Sequence, residues 1–109
     1  MMDRNAAMEA LRFEGFHAFE RDWSLGESIG VAALPIPAGD ITLYRVILYL
    51  YPFANDGWNV AITSGSPEPC DEHECRSLEE AVALAIQLMR GLIAAATRRD
   101  RSLEVEFPQ

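Results

Sequence analysis

The sequence predicts an α+β fold: a three- to four-stranded, mainly antiparallel sheet packed against one long helix near the C-terminus, with a helical N-terminal segment. Three patterns indicate this fold. Residues 41–51 are rich in β-branched and aromatic side chains, as strands are. A turn sequence follows at residues 55–57. After Ser77 the apolar residues recur every three or four positions, which is typical of a helix.

The N-terminal segment, residues 3–22, has the spacing of an amphipathic helix. Its apolar residues at three- and four-residue intervals are Met8, Leu11, Phe16, Phe19 and Trp23. Gly15 weakens a helix interior, and residues 11–14 also alternate as a strand does. Periodicity therefore leaves open whether this segment is entirely helical or partly a strand.

A loop is predicted at residues 24–27 and a short strand at residues 29–34. Pro35 and Pro37 end the apolar run. Because proline cannot donate a backbone hydrogen bond, we expect this segment to be an edge strand.

The following hairpin is the clearest local signal. Residues 41–51 carry apolar side chains at both odd and even positions, which point to opposite faces of a strand. Both faces of that strand should therefore be covered. The turn residues Asn55, Asp56 and Gly57 tolerate positive φ. Trp58, Val60 and Ile62 then alternate with smaller or polar residues, which predicts a second strand.

The long helix begins after an acidic connection, residues 64–76, that has room for a short edge strand. Ser77 and Glu80 form a capping box, so the helix should start here and run to about residue 98. Its expected core stripe is Leu78, Val82, Ala85, Leu88 or Met89, Leu92 and Ala96. Further apolar residues lie off this stripe, so either the N-terminal segment or a second copy of the chain should cover them.

A final strand is predicted where Leu103, Val105 and Phe107 alternate with glutamates. We expect one domain, residues 1–109, since the length is that of an ordinary domain. The predicted core is Val46, Leu48, Leu50, Val60, Ile62, Val82, Leu88, Leu92 and Val105.

The charge balance excludes some functions. With 17 acidic and 9 basic residues, the net charge of −8 repels phosphate backbones, so direct nucleic-acid binding is not expected. The first residues lack the pattern of a signal peptide, which predicts a cytoplasmic protein. The most apolar stretch, residues 81–96, is interrupted by Gln87 and Arg90, so no membrane span is expected.

Residues with metal-binding atoms cluster at Cys70, His73 and Cys75. A structural zinc site needs four ligands, usually as two spaced pairs, so these are interpreted as loop residues, with zinc binding or a redox switch as alternatives. The chain has two histidines and no recognised catalytic motif. We therefore expect no enzyme activity and no cofactor.

Six carboxylates lie between Glu68 and Glu80, against Arg76 alone. Such a run is often a solvated loop; the alternative is a docking surface for a basic protein. On that alternative the binding residues are Asp71, Glu72 and Glu74, with Trp58 as an aromatic anchor.

Residues 46–90 resemble the N-terminal domain of HicB-type antitoxins. The resemblance rests on the hairpin Asn55-Asp56-Gly57-Trp58-Asn59-Val60, the segment at Cys70 and the helix start Ser77-Leu78-Glu79-Glu80-Ala81. It implies a partly RNase H-like fold, with a βββα core that the strand at residues 103–107 would close. It also implies a protein that neutralises a small RNase by binding it.

The predicted function is that of a small acidic binding protein that inhibits or neutralises a basic protein, as antitoxins, immunity proteins and phage inhibitors do. One alternative is a homo-oligomeric structural or assembly protein, since the helix and the two-faced strand carry enough apolar surface for a homodimer. The other is a small metal-binding or catalytic domain.

Overall fold

The computed structural model describes the backbone of residues 2–23, 26–62 and 72–106, and the side chains of residues 2–22, 26–62 and 72–98. Seven elements follow one another along the chain. They are α1 (Arg4–Phe13), β1 (His17–Trp23), β2 (Gly26–Ala38), β3 (Ile41–Phe53), β4 (Gly57–Ile62), β5 (Glu72–Cys75) and α2 (Leu78–Glu106). The α+β prediction is confirmed.

The five strands form one antiparallel sheet in chain order, β1-β2-β3-β4-β5, one strand more than the largest number predicted. Both helices pack on one face of this sheet, which we call the helix face. The core there joins Ala7, Met8 and Leu11 of α1 and Leu78, Ala81, Val82, Ala85, Met89 and Ala96 of α2 to Ile29, Val31, Val46, Leu48, Leu50 and Val60. The N-terminal segment, one of the two alternatives, therefore covers part of the apolar surface of α2, while Leu84 and Ile86 stay only partly buried.

Most of the predicted core is buried, with differences at its margins. Val46, Leu48, Leu50, Val60 and Val82 are buried. Three other residues predicted to be in the core, Ile62, Leu88 and Leu92, are only partly buried. Met89 takes the fully buried position on the helix instead. The side chain of Val105 lies outside the described residues.

Of the two alternatives for residues 3–22, the structure has the mixed one, in which the helix ends at Phe13 and a strand begins at His17. Asp3 caps the start of α1 by accepting a hydrogen bond from the Ala6 N–H at 2.8 Å. At the other end Gly15 adopts φ +93°, and Phe16 N–H donates to the Leu11 carbonyl. This is a Schellman motif, which ends a helix with a left-handed glycine, and it frees residues 17–23 to form a strand.

Residues 29–34 do lie in a strand, but the expectation that this strand is short and at the edge of the sheet is wrong. β2 has 13 residues and lies between β1 and β3. The backbone departs from strand geometry at Leu34, with φ +61°, but pairing with β3 resumes at Pro35. Pairing with β1 ends at Ala32, so both prolines stand where β2 has a neighbour on one side only, which is where a strand tolerates them.

Beyond that point β2 and β3 continue as a two-stranded extension, residues 35–44, which we call the arm. Its pairs are Pro35 with Tyr44, Ile36 with Leu43, Pro37 with Thr42 and Ala38 with Ile41, and Gly39 at φ +65° makes the tight turn between them. β4 begins to pair with β3 only at Leu48. Strand partners for the arm are therefore absent on both sides within the described residues.

The predicted hairpin of β3 and β4 is confirmed. Asn55 and Asp56 both adopt φ +60°, the conformation for which asparagine and aspartate are suited. Gly57 starts β4 close to the next strand, since a Cβ there would lie 2.9 Å from the Cys75 carbonyl oxygen. This close approach sets β5 directly against β4.

The predicted start of the long helix is confirmed, but its end is not where the sequence placed it. The Ser77 hydroxyl accepts from the Glu80 N–H at 3.2 Å, and a Glu80 carboxylate oxygen accepts from the Arg76 N–H at 3.4 Å. α2 then runs to Glu106, so the predicted strand at residues 103–107 is wrong for residues 103–106, while Phe107 lies outside the described residues. Neither glycine nor proline stands between residues 98 and 106, so nothing breaks the helix there.

The stretch Leu78–Arg98 is long and apolar enough, by length and composition alone, to cross a membrane, with a mean hydropathy of 1.4. The prediction that no membrane span is present considered only residues 81–96, a segment shorter than this 21-residue stretch of the helix. Helices that fill protein cores meet the same criterion. α2 buries Ala81, Ala85 and Met89 against the sheet, and 28% of its apolar window is buried.

Candidate partner-binding surface

β5 forms one edge of the described sheet, because β4 is its only neighbour among the five described strands. It is four residues long and confirms the short edge strand for which the sequence left room. Glu72, His73 and Glu74 are exposed and Cys75 is buried. The predicted acidic site therefore lies partly on a regular strand, whereas Asp71 and Cys70 lie outside the described residues.

The register of β5 separates its side chains onto two faces. Glu72 and Glu74 stand opposite Ala61 and Asn59, on the face turned away from the helices, which we call the open face. His73 stands opposite the buried Val60, so it is on the helix face. The two carboxylates predicted to act together are thus neighbours on one side of the strand.

Trp58 does not join them. It pairs with Cys75 on the helix face, where it is half-buried and packs against the core. Because the acidic residues occupy the other face, the prediction of Trp58 as an anchor beside Glu72 and Glu74 is not supported by its position. The other tryptophan, Trp23, has its side chain outside the described residues.

A buried polar network supports Glu72. The Tyr51 hydroxyl donates to a Glu72 carboxylate oxygen at 2.8 Å, and the Asn59 amide nitrogen donates to the Tyr51 oxygen at 3.3 Å. Asn59 is only 3% exposed, and its Oδ1 atom has no hydrogen-bond partner among the described residues. Sequence reasoning missed this network, although the hairpin turn itself fixes the register that sets Asn59 opposite Tyr51.

Glu74 differs from Glu72. Within residues 2–22, 26–62 and 72–98 its side chain makes neither a hydrogen bond nor an ion pair, and it is exposed. A carboxylate without an internal partner is free to bind a cation from another molecule.

An open groove of about 780 Å³ runs between β5 and one face of α2. Its walls are the four β5 residues together with Glu80, Ala83, Leu84, Ile86, Gln87 and Arg90. Three carboxylates, those of Glu72, Glu74 and Glu80, border it. The cation Arg90 is already paired with Glu14, its nitrogen lying 2.5 Å from the carboxylate oxygen.

The groove is poorly suited to thiolate chemistry. Burial, together with the nearby Glu80 carboxylate, raises the pKa of the Cys75 thiol above its ordinary value, so the protonated form is favoured. No cluster of three or more metal-ligating side chains occurs within the described ranges. Cys75 and His73 lie on one face of β5, but the third residue of the metal hypothesis, Cys70, is not among the described residues.

The β1 side of the sheet carries a second feature that the sequence did not suggest, a ladder of rings. His17 stacks on Tyr44 and on Phe19, with centroids 5.1 and 5.4 Å apart, and Phe19 meets Tyr49 edge-on at 6.4 Å. The Arg21 guanidinium lies over the Tyr49 ring at 5.2 Å. These rings lie towards β1, while the carboxylates lie at the β5 edge of the sheet.

The arm is the most exposed apolar part of the sheet. Ile41 is 61% exposed, Leu43 51% and Ile36 42%. Apolar side chains on a strand pair without lateral neighbours are typical of surfaces where another chain adds.

No protein-family model matches the chain, and no curated protein or solved structure is significantly similar to it. Inferences about function therefore rest on the residues and geometry described above.

Proposed function

We propose that the protein is a small, non-enzymatic binding protein that neutralises a basic protein partner, in the manner of an antitoxin, an immunity protein or a phage inhibitor. The observation that carries this proposal is the set of exposed carboxylates of Glu72 and Glu74 on a sheet edge, beside a groove that Glu80 also borders. Opposite charges steer partners together and fix their orientation.

The charge of the whole chain favours the same class of partner. At −8 it attracts basic proteins over long range and repels nucleic acids, while the exposed Glu74 carboxylate is without a partner among the described residues. A nuclease toxin, whose own surface must attract phosphates, has the complementary charge.

The resemblance of residues 46–90 to HicB-type antitoxins also supports the proposal. These residues form, in order, the end of β3, the hairpin with β4, the edge strand β5 and the first half of α2. The chain departs from the implied fold at residues 103–106, which are helical and do not add a closing strand.

The test is native mass spectrometry of the tagged protein purified from its own host, with the mass of any bound protein identified and the complex then rebuilt from purified components. The proposal expects an equimolar complex with a basic protein. The variant Glu74→Lys should weaken it by about tenfold or more, while Glu9→Lys, the same charge change on the exposed face of α1, should not. A rebuilt complex that is equally sensitive to both variants, or no basic partner at all, would overturn the proposal.

A homo-oligomeric role is the second candidate, and the arm favours it. The outer sides of the arm's two strands pair with no other described strand, and together with the exposed Ile36, Ile41 and Leu43 they suit the addition of a second copy of the chain. Sedimentation equilibrium of the wild type and of Ile41→Ser tests this. A dimer that Ile41→Ser dissociates supports it, with Phe13→Ser as the control, because Phe13 is 89% exposed and lies on α1. A wild-type monomer contradicts it.

A further inference from the structure

Among the strands that the structure describes, β5 has a neighbour on one side only, and the backbone hydrogen-bonding groups of its other side pair with none of them. In an antiparallel ladder, alternate residues direct their N–H and C=O groups to opposite sides of the strand. β4 pairs with one side of β5, and no described strand pairs with the other. That other side faces the groove along α2, which all four residues of β5 line.

We propose that an extended, basic segment of the partner adds to β5 as a sixth strand and lies in this groove. The inference rests on the proposed function and specifies its mode of recognition. In strand addition the backbone hydrogen bonds supply affinity, and the alternate side chains supply specificity.

The two walls of the groove set the pattern of the added segment. Successive side chains of a strand point to opposite faces, so every second one reaches the open face, beside Glu72 and Glu74. Those positions require arginine or lysine. The intervening side chains face α2, where Ala83 and Leu84 offer apolar surface, and small apolar residues fit there.

The dimensions of the groove set the length of the segment. Four strand residues span about 13 Å, and the helix from Glu80 to Arg90 rises about 15 Å. A segment of roughly four to six residues with alternating basic and apolar side chains fills the groove. At the Arg90 end of the groove, the Arg90 guanidinium is paired with Glu14.

The test uses a fluorescein-labelled peptide of alternating arginine and valine, together with two matched peptides. In the first, glutamate replaces arginine. In the second, alternate backbone nitrogens on the edge that would meet β5 are methylated, which removes hydrogen-bond donors and leaves every side-chain charge in place. Fluorescence anisotropy gives the affinities, and amide NMR spectra of the full chain locate the contact.

The proposal expects three results. The arginine-valine peptide binds and shifts the amides of residues 72–75. The methylated peptide binds about tenfold more weakly, as expected when backbone hydrogen bonds contribute about 1.4 kcal/mol. Glu74→Lys weakens binding, whereas Glu9→Lys leaves it unchanged.

Two results would overturn strand addition. The first is equal affinity for the plain and methylated peptides, which would mean attraction by charge alone. The second is no binding of the arginine-valine peptide beyond that of the glutamate peptide. Neither result decides the proposed function, which is tested separately by the complex from the host.

Discussion

The two edges of the sheet are built differently. At the β1 edge, the charged side chains are paired within the chain: Arg4 of α1 binds Asp22 at 2.8 Å and Glu20 at 3.5 Å. Arg12 donates to the Ala18 carbonyl at 2.9 Å, which fastens α1 to the same strand. This edge has few free charges to offer another molecule.

At the β5 edge, the charges point outward. Glu72 is held by Tyr51, but Glu74 is without a side-chain partner among the described residues, and an open groove runs alongside. Proteins usually shield sheet edges with charges, short strands or covering elements. An edge that is short and charged but bordered by a groove is protected from random pairing while remaining accessible to a partner of opposite charge.

The largest loss of stability should come from a substitution in the core on which β1 and β5 both depend. Leu48 is fully buried and pairs with Val31 of β2 and Ile62 of β4. We expect Leu48→Ala to lower the free energy of unfolding by about 2–5 kcal/mol, measured by urea denaturation. Hydrogen exchange should quicken at the amides of both β1 and β5. Faster exchange at one edge alone would show that the edges do not share a core.

The next effect is confined to the β1 side. The Phe19 ring lies directly over Gly30, where an added Cβ would overlap it. Gly30→Ala should therefore displace the ring from its stack with His17 and destabilise the protein by about 1–3 kcal/mol.

NMR spectra of Gly30→Ala should show changed ring-current shifts near His17 and unchanged amide shifts at residues 72–75. Gly91→Ala is the control, because a Cβ there meets open space on a helix, and it should stabilise the protein by up to about 1 kcal/mol. Large shifts in β5 for Gly30→Ala would contradict the prediction that this substitution acts on the β1 side alone.

A smaller loss of stability should distinguish the paired carboxylate of Asp22 at the β1 edge from Glu74 at the β5 edge. Asp22→Asn should lower the free energy of unfolding, because it weakens the pairing with Arg4. The hydrogen bond to Asp22 is the main cause of the raised pKa of Arg4. The loss should shrink in high salt, which screens exposed pairs. Glu74→Gln makes a similar change to a carboxylate that has no side-chain partner within the described part of the chain, and it should leave the stability unchanged. Equal losses for both variants would remove the distinction.

The smallest effect is a pH dependence near the start of α2. The Met2 N–H donates to the Glu79 carboxylate at 2.6 Å, which lowers the pKa of Glu79 below its ordinary value of 4.5. A lowered folded-state pKa gives stability that is present above pH 4.5 and is lost as the pH falls through the lower value.

Denaturation of the wild type and of Glu79→Gln from neutral pH downward measures this contribution. The wild type should be slightly more stable at neutral pH, and the difference should vanish in acid. A difference that grows as the pH falls would contradict the role of the Met2 hydrogen bond.

Local chemistry explains which elements could be predicted from the sequence. Asn55 and Asp56 suit positive φ and Ser77 suits a helix cap, so the hairpin and the start of α2 follow from a few neighbouring residues. The strand β1 could not be separated from a helix by spacing, because the decisive event is the left-handed turn at Gly15. Residues 103–106 alternate over too short a stretch to outweigh the helix that precedes them.

The acidic site was predicted only in part, for the same reason. Composition marked Glu72 and Glu74, but the faces to which side chains point depend on strand register. Trp58 is close to them in the sheet and yet on the opposite face. The groove depends on how α2 packs beside β5, which the core that α2 shares with the rest of the sheet determines and the residues of these two elements alone do not.

The most direct measurement of the central claim is hydrogen–deuterium exchange on the protein in complex with the partner purified from its host. The account predicts slower exchange at residues 72–75 and along the groove wall of α2, residues 80–90, with β1 unchanged. Protection confined to the arm or to β1, with β5 exchanging as in the free protein, would contradict it.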